Sequence, residues 1–580
     1  GNHSFGLYAQ DTWKVTRKLT IDYGLRYDYA TLLSEQYGRM QDAAFNTPNP
    51  AIGGRIGGVI YGGSCKCNLN NNYPWAFGPR LGIAYQINSK TVLRLGGGLT
   101  YGTSPNNAFL SYSVPDFYTY SNQPVGGIPA GALQDGNPFA PGNRFGNPPL
   151  VWPDFSAHYP FQTAPGYAPP QSPFISIDRN AGRLPRILQW SLGIQREVTR
   201  DLVVEASYVG NRGVWWTAPL LATNNYNALT PADIAKAGLN INNPADMALL
   251  TTPIASPLVQ AKFPNLALKT LPSGLQVVPS VYGTFPATQT LNQALRPYPQ
   301  WNGVPPFLGP PLGDTWYDSL QVKVTKRLSH GLDFQYAFTW QKELVLGSSN
   351  DTSYVVSAYP TINDVFNYAQ NKQLSPFSTP LVSIIALNYT TPKMPGDGAG
   401  MKAVSWATKD WVIGAVLRYQ SGVLMPVPAS NNNFLNQMAR GGSNNPALWG
   451  GGATVQNLVP GQPLFANGVD PNCHCFDPTK QLVLNAKAWS DAGPGQFGAT
   501  APFLNDFRWQ RQPAESMSFG RIFPLAKEGR VTLNIRMEFQ NIFNRTFYAP
   551  PASTGSGFSG RSGLNPSAPV LTFNQFANGQ

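Results

Sequence analysis

The sequence predicts an all-β protein: an antiparallel transmembrane β-barrel, represented in part by about twelve strands, with short periplasmic turns and long extracellular loops. Three features carry this reading. Runs of strict apolar–polar alternation last about ten residues, the length a tilted strand needs to cross a bilayer's hydrocarbon layer, whereas strands of soluble sandwiches are nearer five or six. The connections between runs alternate short and long along the chain, a parity that neither a sandwich nor a propeller has reason to keep. Only 12% of residues are charged while 12% are aromatic, and glycine (57) and proline (54) are abundant, which suits many turns and irregular loops.

The first run, Phe5 to Val15, puts Phe5, Leu7, Ala9, Trp13 and Val15 on one face, broken by Asp11. After a turn at Thr16-Arg17-Lys18, Ile21, Tyr23, Leu25, Tyr27 and Tyr29 alternate with Thr20, Asp22, Gly24, Arg26 and Asp28. Aromatic residues gather toward strand ends, where membrane girdles lie. A long loop near 31–79 carries Cys65-Lys66-Cys67, and the next pair, Arg80–Gln86 and Thr91–Tyr101, joins at Asn88-Ser89-Lys90. Gly96-Gly97-Gly98 is no phosphate loop, since neither a helix nor a Lys-Ser/Thr pair follows; a bulge or close packing in the wall accounts for it. The loop near 102–184 shows no sustained period.

Strands resume at Ile187–Val198 and, past Thr199-Arg200-Asp201, at Leu202–Gly210. The stretch 211–313 reads as irregular, with one helical turn at most over Pro231–Ala237. The clearest hairpin spans Thr315–Lys342 and turns at three residues, Ser329-His330-Gly331. Trp316, Leu320, Val322 and Val324 share a face with Leu332, Phe334, Tyr336, Phe338 and Trp340, while Gln321, Lys323, Asp333 and Gln335 face the lumen. A loop near 345–378 precedes Leu381–Thr390, and a connection through Pro392–Gly400 leads to Trp411–Gln420. The loop near 421–513 holds Cys473-His474-Cys475. The last pair, Glu515–Phe523 and Arg530–Gln540, joins at Ala526–Gly529 and alternates apolar Leu533, Ile535, Met537 with polar Asn534, Arg536, Glu538. Barrel wall and loops thus occupy 1–548, and 549–580 is a C-terminal loop or tail.

The formal net charge of +12 is spread along the chain without a dense basic run or a nucleic-acid reading motif, so no nucleic-acid partner is expected. No segment approaches 18 consecutive apolar residues, which excludes membrane-spanning helices and leaves barrel strands open. The chain starts Gly1-Asn2-His3, without a signal peptide or initiator methionine, and reads as a processed protein or an excised piece.

Four segments, Tyr8–Tyr29, Ile187–Gly213, Tyr317–Lys342 and Arg530–Tyr548, in this order and spacing, resemble the barrel domain of TonB-dependent outer-membrane receptors. The likeness is nearest to the Oar-like members that carry a carboxypeptidase-regulatory-like domain, and it covers the strands but not the long loops. It implies a 22-stranded barrel in the cell outer membrane of a Gram-negative-type bacterium, and energy-coupled uptake of a scarce extracellular substrate through an N-terminal plug and TonB box. No plug or box precedes Gly1, and the aromatic-ended final strand is missing after Phe543, so the resemblance is to the C-terminal barrel portion. A non-transporting surface protein for adhesion or assembly is the competing class, and a passive porin the third.

Site residues follow from placement. Asp22, Arg26, Asp28, Lys323, Asp333, Arg536 and Glu538 line the lumen as charges that balance one another, not as acid–base catalysts. The loop aromatics Phe117, Tyr118, Tyr120, Trp152 and Trp301 offer faces for stacking on sugars or apolar ligands, with loop-on-loop packing as the alternative for each. Cys65, Cys67, Cys473 and Cys475 fall in extracellular loops and are disulfide candidates, within each pair or between loops. Zinc or copper at Cys473-His474-Cys475 is disfavoured because structural zinc motifs separate paired cysteines by two to four residues. With four histidines and no catalytic constellation, no enzyme activity, metal or cofactor is expected.

Overall fold

A computed structural model describes residues 3–546 apart from 33–35, 39, 67–68, 103–175, 219–226, 228, 302–306, 309, 348–362, 365, 397, 429–453, 467, 474–483, 494–495 and 526–530. Twelve strands follow one another in a single antiparallel sheet. They are β1 (Ser4–Lys14), β2 (Leu19–Ala30), β3 (Ala76–Asn88), β4 (Thr91–Tyr101), β5 (Arg186–Thr199) and β6 (Leu202–Trp216). The second half comprises β7 (Gly313–Ser329), β8 (Leu332–Leu346), β9 (Leu381–Thr390), β10 (Trp411–Gln420), β11 (Gln512–Pro524) and β12 (Thr532–Gln540). A short strand, Lys372–Leu374, adds to β8 off this path. Every neighbour in the order is also a neighbour in sequence, as an up-and-down wall requires. β1 and β12 are the edges, exposed along their whole length.

Register gives the wall two faces. Directly paired residues point the same way, so parity propagates from strand to strand. Ile21 opposes Ile83, Ile83 opposes Leu95, Leu95 opposes Leu192, and Leu192 opposes Tyr208. Tyr208 opposes Leu320, Leu320 opposes Trp340, and Trp340 opposes Leu381. Val324 and Tyr336 carry the same face on through Ile385 and Leu417, and Ile413 and Phe519 through Met537. This face is apolar through its middle. Its charged residues lie toward the strand ends: Asp11, Arg196, Lys326 and Arg521 toward the short connections, and Arg186, Arg212, Asp314, Asp318, Lys342 and Glu515 toward the long ones. The alternation left Asp318 and Lys342 unplaced; they face each other across β7 and β8 on the apolar side.

Several expectations are corrected in detail. The hairpin turn at Ser329-His330-Gly331 is a two-residue turn, because Ser329 pairs with Leu332. His330 and Gly331 both have positive φ, 53° and 78°, the type I′ geometry whose twist matches the strands it joins. A Cβ on Gly331 would lie 2.2 Å from the Thr390 carbonyl oxygen, so only glycine fits there. Asn88 likewise pairs with Thr91, and Thr199 with Leu202. In all three hairpins the register slips just before the turn, and the slip includes Ile87, Val198 or Leu328, each exposed. Gly96-Gly97-Gly98 lies in unbroken register, so close packing and not a bulge explains it: a Cβ on Gly96 would sit 3.2 Å from Ser191 Oγ.

The loops hold more structure than their sequence suggests. β6 runs six residues past Gly210, shortening the loop placed at 211–313, and β8 runs through the expected loop start at 345. The loop at 31–79 contains an antiparallel hairpin, Gln41–Asn49 with Arg55–Tyr61. The described residues between β6 and β7 include α1 (Pro231–Lys236), where one helical turn was expected, and beyond it α2 (Pro244–Leu250), α3 (Pro257–Lys262) and α4 (Leu291–Leu295). A further helix, α5 (Ala399–Thr408), occupies the β9–β10 connection, for which the sequence suggested no element.

Candidate functional site: the polar face and its loop assembly

The seven charged residues singled out above all lie on the polar face. On β2, Arg26 Nη2 lies 2.8 Å from Asp28 Oδ1, and its Nε donates to both carboxylate oxygens at 2.9 Å. Gly6 on β1 makes room for the pair, since a Cβ there would lie 2.8 Å from Arg26 Nη2 and 2.9 Å from Asp28 Oδ1. Asp22 Oδ1 accepts from Thr12 Oγ1 at 2.6 Å. Mid-sheet, Lys323 stands opposite Glu205, and Asp333 Oδ1 accepts from the Asn388 backbone at 3.1 Å. On β12, Arg536 Nη2 lies 3.0 Å from Glu538 Oε1 beside a cavity of about 210 Å³, which Asn388, Gly414 and Ser518 also line. The structure therefore brings these residues to one face but not to one point. Two ion pairs, Arg26–Asp28 and Arg536–Glu538, lie on this face, Asp22 and Asp333 accept from neutral donors, and Lys323 shares a register position with Glu205. Among the described residues no group of three or more His, Cys, Asp or Glu side chains converges to hold a metal.

The long-connection end carries a packed assembly. Three of its helices begin with the same local chemistry, a capping residue followed by proline: Thr230-Pro231, Asn243-Pro244 and Ser256-Pro257. Proline at the first helical position has its φ preset and lacks an N–H that would go unpaired there. Thr230 and Asp233 form a reciprocal capping box, and the Asn243 side chain accepts from the Ala245 backbone. These helices and the segment between α2 and α3 bury Ile234, Met247, Leu250, Ile254 and Val259 against Val278, Phe285 and Leu291. At about 1.5–3 kcal/mol per buried large side chain, such a core opposes the entropy of ordering the loop. Lys262 pairs with Asp246, which lowers the Asp246 carboxyl pKa.

Trp301 shows how two loops are locked together. It is completely buried, with Phe45 edge-on at 5.5 Å and Tyr298 at 4.7 Å. Asn227 Nδ2 donates to the Tyr298 and Trp301 carbonyls, both at 2.9 Å, and Gln293 Nε2 donates to the Trp301 carbonyl at 2.7 Å. Gln300 Nε2 donates to the Ile56 and Gly57 carbonyls at 2.8 and 3.0 Å, tying in the hairpin from the β2–β3 loop. Arg296 donates to Asn292 Oδ1 and to the Asn227 carbonyl; burial pushes its pKa down to about 9, leaving it cationic at neutral pH. Trp301 thus packs loop on loop and presents no face for stacking a ligand. Phe117, Tyr118, Tyr120 and Trp152 lie outside the described residues.

A second cluster, buried Met425, Val455, Trp489, Phe507 and Trp509, lies within the β10–β11 connection, and Leu374 of the β8–β9 connection packs beside it on Leu424 and Phe503. Asn363 fastens it, donating to the Gly498 carbonyl at 2.6 Å and accepting from Thr454 Oγ1 at 2.6 Å. At the rim of the apolar face, Arg212 stacks 3.8 Å over the Trp316 ring and pairs with Asp314 at 3.2 Å. Tyr368 donates to Asp314 at 2.9 Å, and burial together with that carboxylate raises its hydroxyl to about 12. Cys65 and Cys473 are each disulfide-bonded, while Cys67 and Cys475 lie outside the described residues.

The profile of the family described as outer membrane beta barrel domain matches residues 1–567. No curated protein matches the sequence. Among solved structures, similarity extends to the FrpB iron transporter from Neisseria meningitidis, at 10% identity and TM-score 0.35, covering 94% of this chain and 42% of that one. It extends also to the ferric-catecholate import receptor Fiu from E. coli K12, at 9% identity and TM-score 0.33, covering 97% and 42%. A third is the outer membrane transporter YddB from Escherichia coli, at 9% identity and TM-score 0.35, covering 96% and 52%. The chain spans at most about half the length of these three structures.

Proposed function

Because this chain belongs to the outer-membrane β-barrel domain family, we propose that it supplies wall and capture loops to an energy-coupled, TonB-dependent receptor. The observation that supports this most directly is the combination of a two-faced antiparallel wall with folded loop assemblies confined to its long-connection end. In outer-membrane barrels that end is extracellular. Hydrocarbon tolerates no open sheet edge, so the exposed edges β1 and β12 take partner strands in the mature barrel. On this reading Asp22, Arg26, Asp28, Lys323, Asp333, Arg536 and Glu538 line the lumen beside a plug that engages TonB. Phe117, Tyr118, Tyr120 and Trp152 belong to the extracellular surface that captures substrate, and the Oar-like members are the subgroup with the matching strand segments.

The extent of loop folding also favours a second reading, a surface protein for adhesion or assembly, since the β6–β7 connection holds a core of its own. Cells with and without the complete receptor gene separate the two. Depletion of ferric siderophores, oligosaccharides and peptides from the medium is followed with and without an uncoupler. Receptor-dependent, uncoupler-sensitive depletion of one solute supports uptake. Uncoupler-resistant depletion would mean a porin, and no receptor-dependent depletion would favour the surface protein.

A further inference from the structure

Helix α5 (Ala399–Thr408) stands out because it lies at the short-connection end, where the other described connections are brief turns. Its C-terminal turn is fastened to the wall. Trp411 Nε1 donates to the Ala407 carbonyl at 2.7 Å, and Thr391 Oγ1 donates to the Thr408 carbonyl at 2.5 Å. The Arg521 guanidinium donates to the Trp406 carbonyl and lies 4.8 Å from the Trp406 ring, 5.6 Å from Trp411 and 5.0 Å from Phe523. Trp411 opposes Arg521 in register, so the helix is anchored on the apolar face of the wall at its lower edge and not on the polar face.

Beyond that anchor, α5 leaves its apolar side chains open: Met401, Val404 and Trp406 are 42%, 46% and 64% exposed. Met401 and Val404 are three residues apart and share one helix face. The surrounding segment carries Lys393, Lys402 and Lys409 against Asp397 and Asp410. A short helix with exposed Met, Val and Trp, flanking lysines, and continuity with a lipid-facing surface has the chemistry of an interfacial helix. Such helices lie in the headgroup plane with the apolar face dipped into the acyl boundary.

We infer that α5 is a lateral membrane anchor that lies in the periplasmic leaflet beside the wall, its occupant being phospholipid and not a protein partner. Arg521, ringed by Trp406, Trp411 and Phe523, then sits at the level of the lipid phosphates.

The test uses the complete receptor, in which the edges β1 and β12 are paired, reconstituted in mixed phosphatidylethanolamine–phosphatidylglycerol vesicles, with a nitroxide on Met401→Cys or Val404→Cys. Control labels go on Leu192→Cys, midway along β5 on the apolar face, and Ser89→Cys in a short turn. Collision with oxygen is compared with collision with a water-soluble nickel chelate. The expected oxygen-to-nickel ratio at both helix positions is several-fold above that at Ser89 and approaches that at Leu192. A ratio equal to that at Ser89 would place the helix in water and overturn the inference. Protection from both reagents would mean that protein covers this face, which overturns it equally. An aqueous signal at Leu192 itself would remove the membrane-wall premise, and the placement of α5 with it.

Discussion

Asp201, in the turn between β5 and β6, accepts from Lys326 Nζ near the foot of β7 at 2.7 Å, so two adjacent hairpins are tied at their water-exposed ends. The same carboxylate accepts from Thr199 Oγ1 at 2.6 Å and from the Ser329 hydroxyl. The Lys326, Ser329 and Thr199 hydrogen bonds hold its pKa well below the ordinary carboxylate range. A carboxyl depressed in the folded state stabilises above its unfolded pKa, about 3.9, and that contribution is lost as pH falls through the folded value. We therefore expect Asp201→Asn to lower the denaturant midpoint at neutral pH. The gap from wild type should close under strongly acidic conditions; a gap independent of pH would contradict the assignment.

The two faces predict opposite responses to charge. Leu192 is an apolar-face residue midway along β5 and Gln189 a polar-face residue of the same strand. Leu192→Arg should cost roughly 2–4 kcal/mol near the bilayer midplane, and Gln189→Arg should be tolerated, as read from unfolding in lipid. Equal tolerance at both positions would reverse the lipid-facing assignment.

Trp301→Ala removes the side chain that joins two loops, at a cost of roughly 3–5 kcal/mol to the loop assembly. Amide exchange should rise across 227–301 and in the 41–61 hairpin while the wall strands keep their protection. Unchanged exchange in the 41–61 hairpin would show that Trp301 does not couple the loops.

Because Cys65 and Cys473 are both oxidised, native protein should take up no maleimide at either residue until it is reduced. Peptide mapping without reduction assigns the partner of each. Labelling of Cys65 or Cys473 in unreduced protein would overturn the oxidised state.

The wall was legible because its physics is local and periodic. Leu381–Thr390 and Trp411–Gln420 coincide with β9 and β10 residue for residue, since alternation begins and ends sharply there. Turn lengths were less legible: whether Ser329 belongs to the turn depends on a cross-strand pair with Leu332. Beyond the helical turn at Pro231–Ala237, the helices of that loop were missed although Asn243-Pro244 and Ser256-Pro257 repeat the signature of Thr230-Pro231, because each is too short to establish a 3.6-residue period. Trp301 lies beyond any local rule. Among prolines it looks like an exposed loop aromatic, and only its meeting with Phe45, far upstream, buries it.

The slipped residues before the turns bear on more than register. Ile87, Val198 and Leu328 each lie two positions before a two-residue turn and end up exposed. Each sets an aliphatic side chain beside a two-residue turn, so three hairpins carry the same hem at their turns, whereas at the other end Trp340 opposes Leu320 and Trp316 lies four residues farther along. A bilayer whose lower edge misses that hem must deform locally, or the strands must tilt, each at a modest cost per ångström of mismatch.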